Sequence, residues 1–537
     1  APLRARNDFL GRNTRDAKDA PADLRGHERA DLSTRHSALG TRHSALEWPQ
    51  VPLAMRVLLL SMPDSFEHTP AVAMRMPNGA LASLAGNVDP HHDVAIADLI
   101  LAQRNVAATV ERLVRTQEPD VVGLSVMTFQ RKTALQIVQL IRAIRPGARI
   151  VVGGYDPSLA PEPYLARSAG VDVIVRGEGD LAFRDLLRVF ERGETVRGVM
   201  ARPVSDLTQI QPPTRAARVL GGYTMLGRQV DVVETSRGCT YDCSFCSIIE
   251  MRGRNFHTWP IPRVIADIRD AHLRGARCIF LVDDNITLNV ARFLELCTAI
   301  RAAGLHTIDY IVHGMTSAIA SAGDPLGRAM RDAGFRYVFL GIENVLDDDL
   351  RFLRASAKNA DRQGGRTVGS ATARAIDVIH RHGMLVVGGL IVGNPGDTQS
   401  SIHTNLEFAR RFVDWPYIQH PTPYPGTPMT KDFRDRDLIV NDDEQTYDGT
   451  TAVVRTEALE VEEIEFLRWR AERWMKVRHL PPVFAHDPLF VLRNGMAMLR
   501  HTFRGSTLRT WLGLESEREA FARYREIRTA EREYVTC

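Results

Sequence analysis

VDVVETSRGCTYDCSFC, residues 230–246, joins a strand-like apolar run to three closely spaced cysteines. Cys239, Cys243 and Cys246 follow the spacing C-x3-C-x2-C, directly after the extended run 230–235. Cysteine thiolates hold iron–sulfur clusters, and a cluster of four irons normally takes four of them. Three thiolates on one loop would leave one iron without a protein ligand, and an open metal position is where a substrate can coordinate.

Two other interpretations of the cysteines have less support in the sequence. An incomplete zinc site is one, but zinc usually takes four ligands, often as two C-x2-C pairs, and the chain has no second pair. The remaining cysteines, Cys278, Cys297 and Cys537, are scattered. A disulfide framework is the other, but six cysteines in 537 residues do not resemble a small stapled secreted fold.

Downstream of the cysteines, apolar runs that end in polar residues alternate with helical segments. With the strand before the cysteines, they make about six βα units and predict a partial (βα)6 barrel. Polar residues at the carboxyl ends of barrel strands are typical of active sites. Besides the cysteines, the residues at these ends are Asp283, Asp284, Asn285, His313, Glu343, Asn344 and Asn394.

Some of these residues have a structural alternative. Asp283 or Asp284 can cap the following helix, and His313 fits a satisfied buried polar residue as well as a catalytic one. The sequence identifies no catalytic acid or base.

Upstream of the cysteines, residues 55–205 combine continuous apolar strands with short glycine-containing exits. Helical segments separate the strands, and Asn78 is a possible N-cap of the first. This pattern predicts a doubly wound, Rossmann-like parallel sheet, in which ligands bind at the carboxyl ends of the strands. The residues at those ends are Ser125, Gly153, Gly154, Gly177 and Glu178.

The chain is therefore predicted to be an α/β protein with five segments. Residues 1–54 are predicted to be a disordered leader, which contains the tandem repeat TRHSAL at 34–39 and 41–46. The first sheet domain covers 55–205, and a linker without a core, which contains Pro and Arg, covers 206–227. The barrel covers 228–430, and a helical C-terminal region covers 431–537.

Composition limits the classes of function. The formal net charge of +3 gives no indication of nucleic acid binding, and a charged fraction of 25% is ordinary for a globular protein. No apolar run approaches the ~20 residues that span a bilayer, and no secretory signal peptide is visible. We therefore expect a cytoplasmic protein, in a reducing compartment that suits an oxygen-sensitive cluster.

The cysteine loop resembles that of the radical S-adenosylmethionine (SAM) enzymes, in which it follows the first barrel strand. FLGIEN at 339–344 is similar to the family's strand whose glutamate, here Glu343, contacts SAM, and GNPGDT at 393–398 is similar to a family turn, with Asp397 in place of glutamate. TPYPGTP at 422–428 is similar to a segment of the cobalamin-dependent, anaerobic-cyclase-like branch. The first sheet domain likewise resembles the cobalamin-binding domain of class B radical SAM enzymes.

The resemblance implies three cofactors: a [4Fe–4S] cluster on the three cysteines, SAM chelated by the open iron, and cobalamin in the first domain. It also implies a 5′-deoxyadenosyl radical that takes a hydrogen from the substrate, whose carbon then receives a methyl group from methylcobalamin. The candidate cobalamin contacts are Ser125, Gly153, Gly154, Gly177 and Glu178. The candidate cofactor contacts in the barrel are Asp283, Glu343 and Asn394.

One departure from the family concerns cobalt. The signature Asp-x-His-x-x-Gly is absent after the first strand, where MPDSFEH, residues 62–68, stands instead. Asp89-Pro90-His91 matches part of the motif, but it precedes the second strand and lacks the glycine. We therefore expect His68 and His91 to be loop histidines and cobalt to lack a histidine on its lower face.

The combined pattern predicts a cobalamin-dependent radical SAM enzyme that methylates an unactivated carbon of a small-molecule or lipid substrate. An oxidative cyclase or ring-rearranging enzyme with a tetrapyrrole-like substrate is the alternative, and a non-catalytic cobalamin or iron–sulfur sensor is a third possibility. An electron donor such as flavodoxin or ferredoxin is the expected protein partner. The C-terminal helices predict either a packed cap over the barrel or a peripheral contact with membrane lipid headgroups.

Overall fold

The structure is a computed structural model that describes residues 53–65, 73–204, 206–359, 370–478, 480–486 and 488–535. Residues 1–52 of the predicted leader, His68 and Cys537 lie outside these residues. Within the described ranges the strands are β1 Arg56–Ser61, β2 Met74–Arg75, β3 Asp93–Asp98, β4 Val121–Ser125, β5 Arg149–Gly153, β6 Val173–Arg176, β7 Gly198–Ala201, β8 Thr224–Met225, β9 Arg228–Val233, β10 Ser236–Arg237, β11 His257–Thr258, β12 Cys278–Leu281, β13 Asp309–Met315, β14 Phe335–Glu343, β15 Leu385–Ile391 and β16 Trp415–Gln419.

The α-helices of the same ranges surround these strands and continue beyond them at the C-terminal end. They are α1 Gly79–Asn87, α2 Val106–Gln117, α3 Arg131–Ile144, α4 Tyr155–Leu159, α5 Glu162–Leu165, α6 Asp180–Glu191, α7 Ile248–Arg252, α8 Ile261–Leu273, α9 Val290–Ala302, α10 Thr316–Asp332, α11 Asp347–Phe352, α12 Ser356–Asn359, α13 Ser370–Arg381, α14 Gln399–Phe412, α15 Pro428–Asp435, α16 Val461–Arg478, α17 Leu480–His486, α18 Pro488–Thr502, α19 Leu508–Trp511 and α20 Glu517–Ala530.

The first sheet has six parallel strands in the order β3-β1-β4-β5-β6-β7. In β1, Leu58 and Leu60 pack in the same core cluster as α2 and α3, whereas Val57 and Leu59 pack with α1 and α6. Successive side chains of a strand point to opposite faces, so a strand that is apolar at every position needs helices on both sides. The predicted doubly wound sheet is confirmed.

The second sheet has the order β16-β15-β14-β13-β12-β9-β8-β2. Its strands β9 and β12 to β16 are parallel, which confirms the partial (βα)6 barrel. The short strands β8 and β2 extend it antiparallel, with Met74 opposite Met225. Because β2 lies in the chain segment of the first domain, one sheet receives strands from both parts of the chain. Two-residue strands carry no readable alternation, so the sequence does not reveal this extension.

The segment that was expected to be a linker contributes to the core. Leu207 and Ile210 are buried in the same cluster as the apolar residues of α8 and α9. Arg215 is also buried, and its guanidinium pairs with Asp231 at 3.0 Å and with Asp267 at 2.5 Å. The expectation of a segment without a core is therefore wrong. Its prolines and arginines resemble those of a solvated linker, but Asp231 and Asp267, the partners of Arg215, come from the barrel.

The C-terminal region is helical, as predicted, and it packs against the barrel and the first domain. Arg468 of α16 is fully buried; it donates to His420 Nε2 at 3.1 Å and to the Thr450 carbonyl oxygen at 3.0 Å. Near the end of the chain, Val535 belongs to the core of the first domain. Among the described residues, no helix is long and apolar enough to cross a membrane.

Candidate active site

Two aspartates after β12 hold the start of the cysteine loop. The buried Asp283 carboxylate accepts hydrogen bonds from the Thr235 backbone N–H at 2.6 Å and from the Thr235 and Ser236 hydroxyls at 2.5 Å. Asp284 accepts from the Gly238 N–H at 2.8 Å. Burial raises the pKa of Asp283 to about 6. Because three donors of the loop already engage its carboxylate, we propose that Asp283 positions the loop, and the cofactor contact expected from the sequence stays a prediction.

Further contacts hold the cysteine loop against the rest of the barrel. Gly238 has a φ of 89°, and a Cβ there would lie 2.5 Å from the Asn255 carbonyl oxygen, so the close approach requires glycine. The Ser244 N–H donates to the Leu353 carbonyl oxygen at 3.0 Å, and the Ser244 carbonyl accepts from the Met429 N–H at 2.9 Å. Met429 follows the TPYPGTP segment directly, which places that segment against the loop.

The three thiols suit a cluster better than a single ion. Cys243 is buried and Cys239 and Cys246 are half-buried, and their sulfur atoms do not all lie within 4.8 Å of one another. Ligands of one zinc ion, each about 2.3 Å from the metal, would be closer together. Burial raises the pKa of Cys243 to about 11 and that of Cys246 to about 12. Thiolates at such positions need a bound cation to compensate their charge, and an iron–sulfur cluster provides one.

Glu343 lies near the cysteines and pairs with Lys358, a residue that no sequence motif marks. The pairing of β14 with β15 shifts register between Gly341 and Glu343, and such irregularities re-aim side chains beside active sites. The Lys358 ammonium forms an ion pair with Glu343 and lies 6.0 Å from the centre of the Phe245 ring. A Cβ on Gly341 would lie 2.7 Å from the Glu343 carboxylate, so glycine leaves room for the pair.

Asn394 lies at the end of the strand next to that of Glu343 and is fully buried. Its side-chain amide donates to the Ile391 carbonyl oxygen at 3.4 Å, and Asn344 donates to the same oxygen at 3.0 Å. Within the described residues, Asn394 Oδ1 has no hydrogen-bond partner. A buried acceptor of this kind is costly unless a ligand or water satisfies it. The roles of Glu343 and Asn394 as SAM contacts stay predictions.

The contacts of His313 fit a satisfied buried polar residue, the structural alternative to a catalytic role. Its Nδ1 lies 3.3 Å from the Asp283 carbonyl oxygen. The ring packs edge-on against Phe280 and Phe339, with centroid distances of 4.9 and 5.1 Å. Burial lowers the pKa of His313, so the imidazole is neutral near pH 7.

A cavity of about 360 Å³ lies at the carboxyl ends of the first sheet. On the barrel side its wall includes Glu234, Arg237, Met251 and Arg252, which flank the cysteine loop in sequence. The cavity therefore lies between the two domains. All five residues that were predicted at the ligand-binding edge of the first sheet line it: Ser125, Gly153, Gly154, Gly177 and Glu178.

The cavity continues between the first sheet and its helices as an apolar slot. Leu59, Gly123, Val151 and Phe183 line this part. A Cβ on Gly123 would lie 2.8 Å from the Leu59 side chain and 3.7 Å from the Phe183 ring. Gly123 therefore adds no side chain between Leu59 and Phe183 in this part of the cavity.

Arg237 connects the two domains across the cavity. Its guanidinium pairs with Asp180 at 2.7 Å, with Glu234 at 2.9 Å and with Glu178 at 3.5 Å. Burial acts against the charge of Arg237, but the carboxylates outweigh it and raise the arginine pKa. Burial likewise acts to raise the pKa of Asp180, yet Arg237 holds it below the usual range. The sequence indicates Glu178 as a residue at the ligand-binding edge, but it does not indicate that Arg237 pairs with it.

Histidine does not occur among the described residues that line the cavity. His91 directly precedes His92 and β3, at the amino edge of the first sheet, and its side chain pairs with Glu191. This position lies at the opposite edge from the cavity, so it agrees with the expectation that His91 is a loop histidine. The same expectation for His68 lies outside the described residues.

Comparison with known families assigns both domains. The B12 binding domain model matches residues 71–187, and the radical SAM superfamily model matches residues 233–409. These ranges contain, respectively, the cavity-lining edge of the first sheet and the cysteine loop with Glu343 and Asn394.

Individual relatives agree with this assignment. An uncharacterized methyltransferase of Pyrococcus horikoshii, PH0819, is 25% identical over 466 residues, which cover 83% of this chain and 98% of the relative. The anaerobic magnesium-protoporphyrin IX monomethyl ester cyclase of Cereibacter sphaeroides is 24% identical, with 71% of this chain and 63% of the relative covered.

A solved structure shows the same fold. It is that of the radical SAM methyltransferase TsrM from Kitasatospora setae, with cobalamin and a [4Fe–4S] cluster bound. Its comparison with the present chain gives a TM-score of 0.57 and 17% sequence identity, and it covers 71% of this chain and 78% of TsrM. Because the B12 binding and radical SAM family models both match, the cofactors of the present chain are a [4Fe–4S] cluster, SAM and cobalamin. With its thiol loop, its interdomain cavity and both family matches, the chain belongs to the radical SAM enzymes that carry a B12 binding domain.

Proposed function

We propose that this chain methylates an unactivated carbon of a small-molecule or lipid substrate. The observation that carries the proposal is the position of the cavity, which is lined both by the B12 binding domain and by residues that flank the cysteine loop. When bound, the cluster with SAM supplies radical chemistry and cobalamin supplies the methyl group. Methylation needs both at one substrate carbon, with water excluded.

Different residues of the chain hold the cofactors and position the two domains. Cys239, Cys243 and Cys246 hold the cluster, and Asp283 with Asp284 fixes the loop that carries them. Glu343 and Asn394 offer oxygen atoms to SAM beside the cluster. In the B12 binding domain, the carboxyl edge of the first sheet holds cobalamin. Arg237 fixes the position of the two domains relative to each other through ion pairs with its three carboxylate partners.

Methylation is favoured over oxidative cyclisation by the extent of similarity. The chain covers 98% of the relative named as an uncharacterized methyltransferase, whereas it covers 63%, 74% and 66% of three cyclases. Both activities would use the same two domains, so the product distinguishes them. A sensor without turnover would not need the cysteine loop beside Glu343 and an unsatisfied buried Asn394 acceptor.

The experiment follows the label from SAM to product. Anaerobically reconstituted enzyme is incubated with reductant, methyl-labelled SAM and the lipid and pigment extract of a strain that lacks the gene. We expect label in one product, in step with equal amounts of 5′-deoxyadenosine and S-adenosylhomocysteine. Steady 5′-deoxyadenosine formation with an oxidised, unmethylated product would contradict the proposal and support a cyclase. The Cys243→Ala variant is the control for label transfer without the cluster.

The reduction step also requires a protein partner. We propose a low-potential donor of the flavodoxin or ferredoxin class, and a cytoplasmic location where such donors occur. Turnover that starts with reduced flavodoxin in place of a chemical reductant would support this partner.

A further inference from the structure

The C-terminal helices expose an unusual amount of apolar surface. Nine of the seventeen large apolar side chains that are exposed in the described part of the chain lie between residues 474 and 514. Their relative exposures range from 46% to 73%. They are Trp474, Phe484, Leu489, Leu492, Met496, Leu508, Trp511, Leu512 and Leu514. Scattered exposed apolar residues are normal on soluble proteins, but a concentration of this kind marks an interaction surface.

Helix α18 shows that the exposure follows a pattern. Phe490 and Met498 are buried and pack in a cluster with Trp415 of the barrel, so this face anchors the helix. The exposed residues Leu489, Leu492 and Met496 occur at spacings of three and four, which define a second apolar face of the helix, toward solvent. A helix that only closed the barrel would present polar side chains there.

The charges of the same segment have one sign. Residues 488–514 contain no aspartate or glutamate, but four arginines. Arg493, Arg500 and Arg509 are exposed, whereas Arg504 pairs with Glu531. Leucine, tryptophan and arginine on exposed helical faces are typical of helices that lie in the interface of a membrane.

Two tryptophans provide a further interfacial feature. Trp474 and Trp511 are half-exposed, and their rings lie 6.1 Å apart, each against Phe503. Tryptophan is enriched at the headgroup level of bilayers because its ring is apolar and its N–H is polar. The pair links the end of α16 to α19 and so extends the apolar surface beyond α18.

We propose that helices α17 to α19 dock on the surface of an anionic lipid bilayer, with Leu489, Leu492 and Met496 in the interface. The arginines would contact the lipid phosphates, and none of the described helices would cross the membrane. A second copy of the chain suits this surface less well, because the charged side chains of residues 488–514 are all arginines, and two such segments would repel each other. The inference goes beyond the proposed function and does not depend on it.

Vesicle flotation with the purified full-length chain tests the proposal. Vesicles of phosphatidylcholine alone are compared with vesicles that contain 30% phosphatidylglycerol, roughly the anionic fraction that gives a strong surface potential, at low and high salt. We expect the chain to float with the anionic vesicles at low salt and to be released as salt screens the attraction. Arg493→Gln, Arg500→Gln and Arg509→Gln combined should weaken binding by roughly fivefold per arginine.

The apolar face is tested with Leu489→Ser, Leu492→Ser and Met496→Ser combined, which should lower binding at least about tenfold through lost apolar insertion. The matched controls change exposed residues elsewhere: Leu165→Ser with Leu273→Ser, and Arg112→Gln with Arg167→Gln and Arg197→Gln. Both controls should bind as the unchanged chain does. Circular dichroism confirms that each variant is folded before it is compared.

Three results would overturn the proposal. The first is an absence of flotation with anionic vesicles at low salt, and the second is equal loss of binding in the control variants. The third is a dimer in light scattering that the apolar triple variant converts to a monomer, because the surface would then be covered by a second copy.

Discussion

Arg237 is expected to stabilise the contact between the two domains, and its replacement by leucine tests this directly. The side chains of Arg237 and Asp180 are each only 6% exposed and lie 2.7 Å apart. Removing one partner of such a pair leaves an uncompensated buried charge, which costs about 3–5 kcal/mol. We therefore expect Arg237→Leu to lower the free energy of unfolding by about that amount, measured by urea denaturation of the chain without cofactors.

The double variant identifies the cause of the loss. With Asp180→Asn in the background, no charge is left at that position, so Arg237→Leu should cost at least about 1 kcal/mol less. Arg263→Leu is the matched control: both guanidinium groups lie over the Trp259 ring, at 5.0 and 5.3 Å, but Arg263 donates to the backbone carbonyls of residues 210 and 211. Its loss should cost about 1 kcal/mol. Additive effects of Arg237→Leu and Asp180→Asn, or equal costs for the two arginines, would refute the reasoning.

Three further predictions concern the cofactors and the first domain. The reconstituted chain should hold about four irons. Cys243→Ala should abolish both the cluster and SAM cleavage, whereas Cys278→Ala should abolish neither. Retained SAM cleavage in Cys243→Ala would exclude the cluster assignment. Electron paramagnetic resonance of the cob(II)alamin form should show no nitrogen splitting from isotope-labelled histidine, and such splitting would identify a histidine ligand. Burial raises the pKa of Asp64 to about 7, above its unfolded value of about 3.9, so the folded state loses stability as pH rises from about 4 to about 7. Asp64→Asn should therefore raise the unfolding free energy by up to about 4 kcal/mol at pH 8 and little at pH 4. An equal gain at both pH values would contradict this assignment.

The fold and the ligand-binding edges could be predicted from local patterns. Leu58 to Leu60 indicate a strand covered on both faces because every position is apolar, and the cavity-lining Gly153, Gly154 and Gly177 occur where such strands end. The cysteine spacing likewise lies within eight residues of sequence. Each of these features is local, so the order of residues along the chain is enough to recognise it.

Contacts between distant segments required the tertiary structure. Lys358 reaches Glu343 from a short helix that carries no motif, and Arg237 meets Asp180 from the other domain. The same reason applies to Asp283: Thr235 and Ser236, which follow the neighbouring strand β9, donate to its carboxylate, and this contact with the loop is one that the sequence did not indicate. The type of a polar residue shows that it needs partners, but only the packing of the folded chain decides which segments supply them.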